Sequence, residues 1–378
     1  MIGRALMASA LALHLPLVPA VARAACDPPR GTMQVGESWA QKRLDPKRVW
    51  PLSTGAGVRV AIVDSGVDLQ HPQIRLAGKA DLTGTGYQDC VGHGTAVAGI
   101  IGAQYTQGVL FYGMAPGALL LSYKQTESET NGDPKLLVSA IKAAADQGAK
   151  VINVSISTTD QPALRAAVEY ALAKDAVVVA AAGNVKKEDG TPVPAYPAAY
   201  DGVVAVGAAG PNGALAEFSN NKTPVAVLGP GQDITSTWPG RAYFKELDGT
   251  SYAAPYVAGV AALIRARFPK LDQAQVRQRI IATADGASTG KGAGMVNPLL
   301  AVSAILPYEP ADAPVVAPPP PSPLPAGAVA KAPPVDQNAI DLALIIAGSA
   351  LGLALLVAVS RVVVPMGRRR GWRPGRTE

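Results

Sequence analysis

Short apolar runs recur through the middle of the chain with longer mixed stretches between them. Val58–Val63, Ala118–Tyr123, Val151–Ile156, Val177–Ala181 and Val203–Val206 are continuous rather than alternating. Continuous runs of this length predict strands buried on both faces. Leu136–Gln147 and Pro162–Lys174 fall between such runs and predict helices. Strand and helix in alternation imply a parallel sheet covered on both sides, an α/β architecture. Ligands of such sheets bind outside the carboxyl ends of the strands, so chemistry is to be sought there.

Both ends of the chain carry a different pattern. Ala5–Ala22 contains no charged residue, follows Arg4, and closes on Ala22-Arg23-Ala24. A positive start, an apolar stretch and small residues at a cleavage position predict a secretory signal peptide over 1–24. The alternatives there are an uncleaved anchor or a lipoprotein cleavage before Cys26. Leu342–Ser360 is a second uncharged run, about 28 Å long as a helix and close to the thickness of a bilayer core. It predicts a transmembrane helix over 340–364. The arginines that follow, in a basic tail over 365–378, put that end in the cytoplasm by the positive-inside rule and the bulk of the chain outside. Pro307–Pro334 holds 11 prolines in 28 residues and predicts an extended, semi-rigid linker over 307–339. A proline-rich ligand for a binding domain is the alternative.

Composition changes the picture in two places. The chain has 378 residues, 48% hydrophobic and 16% charged, which excludes a disordered polyelectrolyte. A formal charge of +6 invites a nucleic-acid partner. Residues 1–24 hold two arginines and no acid, and residues 342–378 hold six arginines and one acid. The stretch between therefore carries a net charge of −1, and no nucleic-acid surface is expected. Two cysteines and three histidines leave little scope for a metal centre, and no cofactor motif is evident.

Four contexts carry candidate chemistry. Val60–Val63 runs into Asp64, placing an acid at a strand end. Gly92-His93-Gly94-Thr95 sets a histidine between glycines. Ala180-Ala-Ala-Gly-Asn184 ends a strand on a Gly-Asn turn. Asp248-Gly-Thr-Ser251-Tyr-Ala-Ala-Pro255 predicts a helix running to about Arg267, with Ser251 at its positive end and Pro255 in its first turn. Singly, each has a plain alternative: a turn cap, a structural histidine, a left-handed turn asparagine, a serine N-cap.

Together they are far more specific. The order Asp64, His93, Ser251 is one of the known orders of the Ser-His-Asp triad. The DSG, GHGT, AAGN and GTS-x-A-x-P contexts resemble the subtilisin-like serine peptidases from about Val58 to Val302, giving a peptidase domain over 58–306. The resemblance implies a three-layer subtilisin-like fold. It implies Ser251 as nucleophile, His93 as general base and acid, Asp64 as its orienter and Asn184 as oxyanion donor. It also implies a substrate that adds as a β-strand, here along Val154–Thr159, a run without glycines that narrows the rim. Asn153 stands beside that run. No calcium motif is evident, and Asp68 and Asp81 are expected to be solvated.

The whole organisation is similar to that of the mycosins, the membrane-anchored subtilases of actinobacterial type VII secretion. Trp50-Pro-Leu, Gly55-Ala-Gly-Val, Cys90-x-Gly-His93-Gly-Thr and Tyr196-Pro-Ala-Ala-Tyr fit that group. Residues 25–57 are too short to fold alone and are expected to wrap the catalytic domain as an N-terminal extension. Cys26 and Cys90 are then expected to form a disulfide, since the protein is read as exported. Many mycosins have a second disulfide, for which this chain has no cysteines left. The resemblance implies protein substrates, a type VII secretion membrane complex as partner, and contact with membrane lipid through one span. The expected activity is a serine endopeptidase with few substrates that also supports the complex. The alternative is a structural cap of the complex with dispensable proteolysis.

Overall fold

The computed structural model describes residues 26–128, 132–185, 192–286, 294–307, 309 and 337–371. The signal-peptide segment, the proline-rich stretch and the end of the basic tail lie outside those residues. The chain divides into two units, residues 1–319 and 320–378, each described by itself.

The first unit opens with α1 (Trp39–Leu44) and α2 (Pro46–Val49), then β1 (Arg59–Asp64), β2 (Leu76–Asp81), α3 (His93–Gly102) and β3 (Leu119–Lys124). It continues with α4 (Pro134–Asp146), β4 (Val151–Val154), α5 (Pro162–Ala173), β5 (Val177–Ala181), β6 (Val204–Ala209) and β7 (Val227–Pro230). It ends with β8 (Ile234–Trp238), β9 (Ala242–Leu247), α6 (Thr250–Arg267), α7 (Gln273–Ala282) and α8 (Pro298–Ser303). Seven strands form one parallel sheet in the order β2-β3-β1-β4-β5-β6-β7. β8 and β9 form an antiparallel pair of their own.

Alternation along the strands separates two cores. Val60 and Ile62 of β1, with Val177 and Val179 of β5, pack with α3 and α6 residues such as Val97, Ile100, Val257 and Leu263. Ala61 and Val63, with Val178 and Ala180, pack with Leu137 and Ile141 of α4 and Leu164 and Val168 of α5. The result is a three-layer α/β sandwich, as the sequence predicts. The inner strands must be apolar on both faces, and burying one such Val, Leu or Ile side chain is worth about 1.5–3 kcal/mol. α6 is buried along nearly its whole length. It is apolar all round, with small alanines between buried Tyr252, Tyr256, Leu263 and Ile264, as a helix covered on every side must be.

Several boundaries differ from expectation, among them the expected strand over 203–206, which runs from Val204 to Ala209, and three differences bear on the ends of the sheet and of α6. The predicted strand over 151–156 ends at Val154, because Ser155 turns away to bond outside the sheet. α4 starts at Pro134, two residues early, where Asp133 accepts from the Lys135 N–H and proline fills the first helical position. Pro255 is not in a first turn: α6 begins at Thr250, so the proline stands inside the helix.

The extension is tied along the first unit. Thr32 exchanges backbone hydrogen bonds with Tyr243 of β9, and Trp39 Nε1 donates to the Gln232 carbonyl. Cys26 and Cys90 are joined in a disulfide.

The second unit contains α9 (Gln337–Arg369), 33 residues and about 50 Å long. It is the one described helix long and apolar enough to cross a membrane, with a mean hydropathy of 2.6 over its best window. It extends beyond the predicted 340–364 at both ends, so Arg368 and Arg369 lie on the same helix as the apolar run.

Candidate active site

β1 sits between β3 and β4, where the sheet changes its direction of growth. That switch point is where parallel sheets hold their ligands. Asp64 is the last residue of β1, and its Oδ1 accepts from the Ser65 N–H at 2.8 Å. The same oxygen lies 2.7 Å from His93 Nδ1, and both side chains are buried. A carboxylate at Nδ1 favours the tautomer with its proton on that nitrogen.

His93 is held by the start of α3. Gly92 is the N-cap, at φ 95°, and a Cβ there would stand 2.3 Å from the Trp238 indole. A Cβ on Gly94 would stand 2.0 Å from the Gly66 carbonyl oxygen. The two glycines thus let the histidine turn lie against both Trp238 and the end of β1. Asp89, fully buried, ties the same turn together. One of its oxygens accepts from Ser65 Oγ and the Val91 and Gly92 N–H groups, the other from Thr95 N and Oγ1, all at 2.6–3.1 Å. Burial pushes its carboxyl above the usual carboxylate range, opposed by the Thr95 and Gly92 hydrogen bonds. Asp89 was missed in the sequence, although an acid four residues before the histidine is a visible signal.

Ser251 is the second residue of α6, behind the N-cap Gly249. The N-cap is a glycine with no side chain to offer, and Ser251 lies inside the helix, so Ser251 is not an ordinary N-cap. Its hydroxyl sits where unpaired N–H groups and the helix dipole favour negative charge. Asn184 follows β5. Its Oδ1 accepts from Thr250 N and Thr250 Oγ1, each at 2.9 Å, which points Nδ2 the other way. A Cβ on Gly249 would lie 2.8 Å from Ser251 Oγ and 3.3 Å from Asn184 Nδ2, so both atoms flank the same bare backbone. The positive φ of this turn falls on Gly183 rather than Asn184. The left-handed-turn account of Asn184 is therefore set aside. The two halves meet where the His93 and Tyr252 rings stand 5.1 Å apart.

Other expected features fall around this centre. The disulfide places Cys26 beside Cys90, three residues from His93, with 4.7 Å between their Cα atoms. Trp238, against Gly92, donates its indole N–H to the Pro29 carbonyl of the extension at 2.6 Å. Asn153 is buried and donates to Ser155 Oγ. Asp81 and Asp68 brace loops: Asp81 accepts from Thr83 and Gly86, and Asp68 from Gln70 and Gly240. Burial raises the Asp81 carboxyl, but those hydrogen bonds outweigh it and hold it below its ordinary value. Among the described residues no group of His, Cys, Asp and Glu could hold a metal ion.

Residues 55–298 match the model of the subtilase family, Peptidase S8. The chain is a subtilase. It is 41% identical to subtilisin DY of Bacillus licheniformis over 249 residues, 64% of this chain and 90% of that protein. It is 37% identical to mycosin-4 of Mycobacterium tuberculosis over 345 residues, 77% of this chain and 75% of that protein. Its fold superposes on the crystal structure of MycP1 from the ESX-1 type VII secretion system with a TM-score of 0.66 and 31% identity, covering 80% of this chain and 99% of that one. This subtilase is a serine endopeptidase of the mycosin type by these likenesses, with the mainly parallel α/β fold of its relatives.

Proposed function

We propose that this subtilase cleaves a few exported protein substrates at the outer face of the cell membrane, as the protease of a type VII secretion complex that it also supports. Ser251 Oγ attacks the peptide carbonyl carbon while His93 Nε2 takes its proton. Asp64 keeps the imidazole in the required tautomer and stabilises its charged form. The oxyanion receives hydrogen bonds from Asn184 Nδ2 and the Ser251 N–H. His93 then returns the proton to the leaving amine as the C–N bond breaks, and water hydrolyses the acyl-enzyme by the same groups. The observation that carries this reading is the buried 2.7 Å contact between Asp64 and His93, made beside a helix N-terminus that presents Ser251.

The boundaries proposed are a signal peptide over 1–24, an extension over 25–57, the peptidase domain over 58–306, a linker over 307–339, a span over 340–364 and a cytoplasmic tail over 365–378. The arginine-rich end of α9 supports that orientation. A type VII system is the partner because the mycosin-type relatives, including MycP1, match the chain well beyond the bare peptidase domain. The test is covalent labelling by a fluorophosphonate. Ser251→Ala abolishes labelling with the thermal midpoint nearly unchanged. Attachment mapped to another serine would overturn the assignment.

A further inference from the structure

The nucleophile's backbone is held by more than its own helix. In an α-helix the carbonyl of residue i accepts from the N–H of residue i+4. For Ser251 that residue is Pro255, which has no N–H to give. Pro255 is the sixth residue of α6, past the turn where a missing donor goes unnoticed. Both residues are buried, so water offers no easy replacement, and a buried carbonyl needs a partner. The partner comes from the sheet. Ser155 Oγ, 96 residues away and 4% exposed, donates to the Ser251 carbonyl oxygen at 2.8 Å. Asn153, the third residue of β4, donates its Nδ2 to the same Oγ at 2.9 Å. That bond occupies the hydroxyl oxygen as acceptor and leaves its one proton for Ser251.

We infer that Ser155 is a positioning residue for Ser251, replacing the helical donor that Pro255 removes and fixing the nucleophile to the end of β4. The inference rests on the reading of Ser251 as nucleophile. On the other side, Asn184 Oδ1 fixes the Thr250 N–H, so the backbone just before and just after Ser251 is gripped from the ends of two adjacent strands. Without Ser155 the Ser251 carbonyl loses its tertiary donor where the helical i+4 donor is already missing. The first turn then shifts, and small displacements of a reacting group cost up to about 100-fold in rate.

The test is a double-mutant cycle in the full chain, held in detergent, read by fluorophosphonate inactivation. Ser155→Ala lowers the limiting inactivation rate about 10- to 100-fold while the half-saturating probe concentration stays within about threefold. Pro255→Ala restores an N–H to the helix and stays within about threefold of wild type. In the Pro255→Ala background, Ser155→Ala then costs less than about threefold, because the Ser251 carbonyl has its helical donor back. A purely structural Ser155 would lower the thermal midpoint in both backgrounds without this change in limiting rate. If Ser155→Ala does not fold alone, the doubly substituted chain still reports: restored folding and labelling support the inference, and continued failure to fold overturns it. Equal rate losses in both backgrounds, or none in the first, also overturn it. A wild-type protein labelled at some residue other than Ser251 overturns the nucleophile reading instead, which separates the two.

Discussion

Breaking the Cys26–Cys90 bond is a perturbation whose size can be worked out in advance. The cysteines are 64 residues apart. On a chain-entropy relation, a loop of that length stabilises the native state by about 4 kcal/mol at 25 °C through restriction of the unfolded chain. The native state regains little freedom in exchange. Thr32 stays paired with Tyr243 through two backbone bonds at 2.7 and 2.8 Å, Trp238 holds Pro29, and Trp39 holds Gln232. Only the few residues before Thr32 are released. Roughly 280 folded residues at about 2.1 cal/mol/K each give an unfolding entropy near 0.6 kcal/mol/K, so 4 kcal/mol becomes about 7 °C.

Thermal unfolding of the full chain, followed by tryptophan fluorescence with and without reductant, reads this directly. Cys26→Ser and Cys90→Ser should each reproduce the reduced value. Labelling of Ser251 should keep its rate at ambient temperature, because Asp89 rather than the disulfide organises the turn that carries His93. A midpoint shift below about 1 °C would refute the entropy argument. A labelling rate that falls tenfold on reduction would show that the bond positions the histidine and that the Asp89 network does not suffice.

Asp89→Asn leaves one acceptor where two oxygens took five hydrogen bonds, so the midpoint drops by several degrees and labelling slows at least tenfold; an unchanged rate would refute the anchoring role. Burial raises the Asp175 carboxyl, but hydrogen bonds from Arg265 and Lys150 outweigh it and hold it below its ordinary value. Its folded value therefore lies under its unfolded one, so the stabilisation is present above the ordinary aspartate range and is lost as pH falls through the lower folded value. Arg265→Met should flatten the fall in unfolding free energy as pH drops below the ordinary aspartate range, and an unaltered acid limb would refute the pairing. Deleting residues 336–378 should release a soluble protease that still labels at Ser251 but no longer supports secretion; full secretion by the tail-less chain would defeat the supporting role.

What was legible in the sequence follows from how each feature is held. β1, β3, β4, β5 and β6 are buried on both faces, so burial alone writes them as apolar runs. β2 is an edge strand, Leu-Ala-Gly-Lys-Ala-Asp, only partly buried, and its sequence has no such run. β8 and β9 hide behind Ser, Thr and Lys: Ile234, Trp238, Ala242 and Leu247 join the core, but Ser236 and Thr237 between them are buried by bonding to α3 carbonyls. Asp64, His93, Asn184 and Ser251, the residues of the proposed site, stand out in the sequence because each lies in a local context of small residues. Gly92 and Gly94 show why: the bare backbone is demanded by Trp238 and Gly66, both far along the chain, yet the demand is recorded next to the histidine itself.

Pro255 marks the limit of that kind of reading. A proline near a helix start is allowed locally only in the first turn, so the local rule placed it there. It stands deeper because Ser155 supplies the missing donor from the end of β4. No pattern within reach of Pro255 encodes the Ser155 hydroxyl, which lies 96 residues before Ser251. Asn153 and Ser155 likewise read as ordinary polar residues beside a strand until the sheet register sets them under α6. The chemistry of this site is therefore written locally, in glycines and the residues between them. Its support is written in pairs of positions that only the fold brings together.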